Sequence, residues 1–307
     1  MSEATQTQTP RRIAKPLQLV CTEVWGGNRP IDAPVELPGL HGRIFSQPCS
    51  GGRGGDIHYL SVCDSGLVAR LCLADVAGHG EAVSRVSTTI HRLLRRHINW
   101  PDQRRVLVKL NRQLERIGLQ ALTTAAAVTY YPPWRWLSVS YAGHPPAWLY
   151  RRSEDRWDLL VSRPGKRFGK RFANLPLAAD ADTVFTRTTV KVSEGDRLFV
   201  LTDGVLETPD AEGQLLGAER FEELLHRERL APPAALADSI IDALRRRAGE
   251  AGLVHDDVTF LLMEVVPGPR GPSVWHAVKN RILRPRGNSG DDLFADPRPP
   301  EYEAAAG

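Results

Sequence analysis

The run Ile57-His-Tyr-Leu-Ser-Val-Cys63, Asp64-Ser-Gly66, Leu67-Val-Ala-Arg-Leu-Cys-Leu-Ala74 decides the fold. Two apolar segments flank a short Asp-Ser-Gly cluster, the pattern of two antiparallel strands joined by a tight turn. Downstream, Glu81 to Ile98 sets Val83, Val86, Ile90, Leu93 and Leu94 on one stripe, with Arg85, Arg92, Arg95 and Arg96 largely elsewhere, which predicts an amphipathic helix. A second helix is expected from Pro101 to Ile117, with Val106, Leu107, Leu110 and Leu114 inward and Gly118 as its stop. Strands return at Thr123–Tyr131, Trp134–Tyr141 and Ala147–Arg151, punctuated by Pro132-Pro133 and Gly143-His-Pro-Pro146, and again at Thr183–Val190 and Arg197–Thr202. Two further helices, near Ala218–Arg227 and Pro233–Arg247, lead to a last strand at Val258–Val266. Strands at both ends with helical pairs between them predict an α+β fold of packed sheets covered by helices.

Composition sets the outer bounds. A chain of 307 residues, 25% charged and 42% hydrophobic, has the proportions of a folded soluble protein and buries most of its apolar surface in one core. Four cysteines, Cys21, Cys49, Cys63 and Cys72, form no CxxC pair and read as packing residues in a reducing compartment. No stretch reaches the roughly 18 apolar residues of a membrane span, and the polar start has no signal core, so the expected location is the cytoplasm. With 40 Lys+Arg against 36 Asp+Glu and the basic residues scattered, nucleic acid is not an expected partner. Residues 1–16 are polar and aperiodic and are expected to be disordered or loosely docked; residues 17–266 read as one domain. Residues 267–307 form a proline-rich appendage. Within it, Ser273 to Arg284 places Val274, Val278 and Ile282 on a stripe beside Trp275, with Lys279, Arg281 and Arg284 alongside. That stretch is expected to dock back onto the domain as a short helix, the alternative being a basic amphipathic helix that binds a partner or an anionic membrane surface, while Asp291-Asp-Leu-Phe-Ala-Asp296 and the prolines stay mobile.

The chemistry follows the aspartates. They recur where a strand begins or stops and glycine is near: Gly54-Gly-Asp56, Asp75-Val-Ala-Gly-His-Gly80, Thr202-Asp-Gly204 and His255-Asp-Asp257. Strand ends hold a side chain rigidly at an open edge, and glycine lets backbone approach a ligand. Four such carboxylates converging would repel one another and raise each other's pKa unless cations sat between them. All-oxygen ligation favours hard ions, Mg²⁺ or Mn²⁺.

Five blocks, Gly54-Gly-Asp56, Ala74-Asp-Val-Ala-Gly-His-Gly80, Tyr141-Ala-Gly-His-Pro-Pro146, Leu201-Thr-Asp-Gly-Val-Leu-Glu207 and Asp256-Asp-Val-Thr259, resemble in order the metal-dependent protein phosphatases. The branch they look most like is the bacterial one typified by the stage II sporulation phosphatase and the stress-response sigma-factor regulators. The resemblance implies a β-sandwich of two mainly antiparallel sheets flanked by helices on both outer faces. It also implies a binuclear Mn²⁺ or Mg²⁺ centre at one edge that hydrolyses phosphoserine or phosphothreonine on a partner protein, in this branch often an anti-sigma-factor antagonist. Carried over by motif, Asp75 would bridge both ions with the Val76 carbonyl beside it, and Asp56 and Asp203 would flank them. Asp256 aligns better than Asp257 with the terminal ligand, and the alternative stays open.

Further residues carry weaker expectations. His79 is a candidate acid for the leaving oxygen and Arg53 a candidate contact for substrate phosphate; the plainer readings are a hydrogen-bonded loop histidine and a solvated arginine. His144 reads as a turn organiser, and Trp134 and Trp136 as strand packing. Three residues after Asp56, where the family commonly carries a second Asp, this chain has Tyr59. That departure keeps an alternative alive, a catalytically weak metal-binding interaction module in a partner-switching pathway. Substrate identity, regulation and oligomeric state are not legible.

Overall fold

The computed structural model describes residues 12–13, 15–19, 24–49, 52–62, 67–78, 81–97, 100, 102–162 and 172–268. The strands are β1 (Leu17–Gln18), β2 (Val24–Gly27), β3 (Ile31–Leu37), β4 (Leu40–Gln47), β5 (Ile57–Val62), β6 (Ala69–Val76), β7 (Thr123–Tyr131), β8 (Trp136–Ala142), β9 (Ala147–Arg151), β10 (Arg156–Leu160), β11 (Thr188–Lys191), β12 (Arg197–Leu201) and β13 (Val258–Val265). The helices are α1 (Glu81–His97), α2 (Gln103–Leu114), α3 (Asp203–Leu206), α4 (Gly217–Arg227) and α5 (Pro233–Ala248).

The strands make two sheets, one ordered β1-β3-β4-β13-β12-β9-β10 and the other β11-β8-β7-β6-β5-β2. Every pairing is antiparallel except that of β1 with β3. Between the sheets lies a core that includes Ile44, Leu71, Val128, Val139, Leu198 and Leu261, all buried. Each such side chain contributes about 1.5–3 kcal/mol by leaving water. On the outer face of the second sheet, Val83, Val86, Ile90 and Leu94 of α1 and Val106, Leu107, Leu110 and Leu114 of α2 pack on Ile57, Tyr59, Cys72 and Ala74. On the outer face of the first, Phe221 of α4 and Leu236, Ile240 and Leu244 of α5 pack on Phe45, Trp148, Phe199 and Phe260. The result is the four-layer sandwich that the resemblance implied.

Several local expectations are corrected. The β3–β4 hairpin was not anticipated, because Pro34 inside β3 and Gly42 inside β4 break the periodic signal; Pro34 pairs with Arg43 and Gly42 with Met263 across the sheet. The strand expected over Thr183–Val190 is a bridge at Val184 followed by the shorter β11. Trp134 and Trp136 are not packed away: they are 58% and 48% exposed. Of the polar start, Ile13 donates its N–H to the Asp32 carbonyl at 2.7 Å and Arg12 makes an exposed pair with Asp238 at 3.2 Å. The turn Asp64-Ser-Gly66, Cys21, Cys63, and the stretches proposed for the appendage beyond Gly268 lie outside the described residues. Among the described residues no helix is long and apolar enough to cross a membrane.

Candidate metal centre

Antiparallel pairing brings the four strand-end aspartates to one rim. In the second sheet β5 begins beside the end of β6, with Ile57 opposite Ala74, so Asp56 and Asp75 come to the same edge. In the first sheet β12 ends beside the start of β13, with Leu201 opposite Phe260, so Asp203 and Asp256 leave from that edge too. Thr202 ties the two rims together: its N–H donates to the Thr259 carbonyl at 2.9 Å and its hydroxyl to Asp56 Oδ2 at 2.7 Å.

The electrostatics are those of an anion cluster. Burial, then Asp75, then Asp257 push the Asp56 carboxyl well above its ordinary range. Burial followed by Asp203, Asp256, Asp257 and Glu207 raises Asp75 to about 7. Asp256 is raised by burial and by Asp203 and Asp257, against the Asp257 N–H that it accepts at 2.7 Å. Glu207, at the end of α3, is raised by burial, Asp203 and Asp256. It stands inside one of the blocks quoted above, yet nothing in its spacing marked it as part of this cluster.

The Asp256-Asp257 pair divides its work. Asp257 Oδ1 accepts the Cys49 N–H at 2.8 Å, and Oδ2 accepts the N–H groups of Gly55 and Asp56, the latter at 3.2 Å. Both of its oxygens are thus engaged by the loop that presents Asp56. Gly54 is required here because a Cβ would lie 2.2 Å from Asp257 Oδ2. Val76 returns from the other side, its N–H reaching the Gly55 carbonyl at 3.4 Å.

Neighbouring residues fall as follows. His144 is buried, hydrogen-bonded through Nδ1 to the Thr124 hydroxyl at 2.8 Å, and pushed down to about 4 by burial, a neutral ring that braces the residue paired with Asp75. Tyr59 points into the helix side, its hydroxyl donating to the His91 carbonyl at 3.1 Å, and is absent from the rim. Arg53 is exposed on the loop before Gly54, and His79 lies outside the described residues. The donor set is entirely oxygen and suits a hard divalent cation, whose charge would relieve the mutual repulsion. Among the described residues, no three His, Cys, Asp or Glu side chains converge as a ready-made metal shell.

Comparison with known proteins bears on the family and the fold. Residues 66–266 match the family described as stage II sporulation protein E (SpoIIE). The phosphoserine phosphatase RsbP of Bacillus subtilis (strain 168) is 26% identical over 204 residues, 64% of this chain and 45% of that protein, so the chain spans less than half of the relative's length. Among solved structures, the RsbU and RsbW domains of a Mycobacterium tuberculosis protein superpose with a TM-score of 0.62 at 22% identity, over 78% of this chain and 64% of that one. RsbX in complex with magnesium gives 0.56 at 15% identity, over 77% of this chain and all of that one. At these identities the superpositions speak for the fold.

Proposed function

The chain belongs to the stage II sporulation protein E family, and from that premise we propose that it is a metal-dependent phosphatase acting on phosphoserine or phosphothreonine in a partner protein. The observation that carries the reading is the rim where Asp56, Asp75, Asp203 and Asp256 act on one another from the ends of four strands. Asp56, Asp75, Asp203, Asp256 and the Val76 carbonyl would hold the Mn²⁺ or Mg²⁺ ions, two per chain, with Asp75 the central ligand. Asp256 is preferred to Asp257 because both oxygens of Asp257 already hold backbone N–H groups. Such ions, when bound, supply Lewis-acid polarisation of the phosphoryl oxygens and a water acidic enough to attack near neutral pH.

The chain's own part is positioning. Thr202 fixes Asp56 through one oxygen, Asp257 sets the height of the Gly54–Asp56 loop, and His144 steadies the β7 residue opposite Asp75. In the cytoplasmic setting proposed for the chain, Arg53 would contact substrate phosphate from the loop before Gly54. The similarity to RsbP, a phosphoserine phosphatase, supports the substrate class. The second reading, an interaction module of little turnover, draws on Tyr59, a phenol packed on the helix side where the family commonly carries a second aspartate.

The test is hydrolysis of phosphoserine, phosphothreonine and phosphotyrosine proteins by the purified chain with Mn²⁺, Mg²⁺ or chelator. Metal-dependent turnover of the first two is expected, with Asp75→Asn and Asp203→Asn each lowering it more than about 100-fold while circular dichroism is unchanged. Full activity in either variant would remove the assignment, and turnover absent from the native chain would favour the second reading.

A further inference from the structure

At the far end of β7 from the carboxylates, Pro133, Trp134, Arg135, Trp136 and Lys191 line an open groove of about 550 Å³. Tyr131, Trp134 and Trp136 form a ladder of rings with centroids 4.8 and 5.1 Å apart. Arg135 stands in the left-handed region at φ 53° and pairs at the surface with Glu194 at 2.6 Å, so that Arg135, Lys191 and Glu194 together leave one net positive charge beside the tryptophans. Two tryptophans on the surface, interleaved with two cations, are more than a strand needs for its own packing.

The described chain ends beside this groove. Val266 donates to the Gly39 carbonyl at 3.0 Å, and Gly268 lies so close to Gly39 and Pro132 that a Cβ would stand 2.9 and 3.0 Å from their atoms. Pro132 directly precedes the groove-lining Pro133. Whatever follows Gly268 is therefore released within a few residues of the tryptophans. Twenty-two residues separate Gly268 from Asp291, and a linker of that length with coil dimensions spans roughly 25 Å and gives its end an effective concentration near the millimolar range.

Charge chooses between the two candidate segments. Ser273–Arg284 brings Lys279, Arg281 and Arg284 and would repel Arg135 and Lys191. Asp291–Glu303 carries five acids and one arginine, a net charge of −4, together with Phe294, Tyr302 and Pro297, Pro299 and Pro300. Prolines and aromatic rings stack on tryptophan faces, and the carboxylates meet the two cations. We propose that Asp291–Glu303 docks in the Trp134–Trp136 groove of its own chain, with Phe294 and the prolines on the indole rings and the acids toward Arg135 and Lys191.

The experiment replaces Phe294 in the full-length chain with a photo-crosslinking benzoylphenylalanine and maps the products by mass spectrometry at low micromolar protein. Crosslinks within one chain to residues 131–136 or 191 are expected. The pair Arg135→Glu, Lys191→Glu should lower their yield about fivefold. Changing Asp291, Asp292 and Asp296 to Arg in that background should restore it. Both altered cations are exposed, so the fold is expected to survive. Crosslinks elsewhere on the domain, crosslinks only between copies, no crosslink, or a yield indifferent to the charge swaps would each overturn the proposal.

Discussion

Asp257 shows how much one side chain can decide at this rim. Its carboxylate accepts three backbone N–H groups from Cys49, Gly55 and Asp56, and each loses its acceptor if the side chain is removed. Hydrogen bonds to a charged group contribute about 1.5–3 kcal/mol each, with strong overlap when they share one carboxylate. Asp257→Ala is therefore expected to lower unfolding free energy by about 3 kcal/mol and to release the loop that presents Asp56, read by denaturant unfolding and by hydrolysis rate; Asp257→Asn should recover part of both. Asp75 makes a different prediction. With its folded carboxyl raised to about 7 against an unfolded value near 4, the folded chain holds a proton that the unfolded chain releases between those limits. In chelator, stability should fall as pH rises from about 4 to 7, and Asp75→Asn should flatten that fall by a few kcal/mol; melting curves at pH 5 and 7.5 decide it, and an equal slope in both proteins would contradict it. The aspartates themselves were legible because a strand end followed or preceded by glycine is a local pattern. The service of Asp257 to a loop some 200 residues earlier was not, since it exists only after β13 has paired with β4.

Elements were read most faithfully where one physical signal dominated. The stripes of α1 and α2 and the long apolar β7 land where period and turn residues place them, because burial on one face leaves no competing arrangement. The β3–β4 hairpin escaped because its proline and glycines serve the sheet's tertiary packing and not a period: a Cβ on Gly42 would stand 1.9 Å from the Leu262 carbonyl oxygen of β13. The tryptophans of the β7–β8 turn were misread because β propensity says which residues suit strands and is silent on which face meets solvent. On the opposite side of the sandwich, α4 is held by Phe221, fully buried and edge-on to Trp148 and Phe199 at 5.1 and 5.3 Å. Phe221→Ala opens a cavity between helix and sheet and is expected to cost about 3–5 kcal/mol. Phe221 packs on Trp148 and Phe199 rather than on a rim carboxylate, so hydrolysis below the lowered melting temperature should stay within about twofold of the native rate, measured in a temperature series. A large loss at low temperature would mean that α4 braces the rim directly.

At the scale of the molecule, the sandwich keeps two kinds of surface at opposite ends of the same strands. Asp75 pairs with Thr124 near the start of β7, and Trp136 pairs with Tyr131 at its end. Seven residues of strand separate them, about 23 Å at the rise of an extended chain. Events in the groove therefore reach the carboxylates only through a stiff, fully hydrogen-bonded sheet. Truncation after Gly268 should leave metal-dependent hydrolysis of a small phosphate ester within about twofold of the full chain, because Val266 and Gly268 keep their contacts with Gly39 and Pro132. The same truncation should lower the melting temperature by only a few degrees, since a docked tail adds about 1–2 kcal/mol to a domain of this size. Calorimetry and ester hydrolysis on the two proteins measure both expectations. A truncated chain that is folded and metal-loaded yet inert would place the appendage in the active site and end the division between rim and groove.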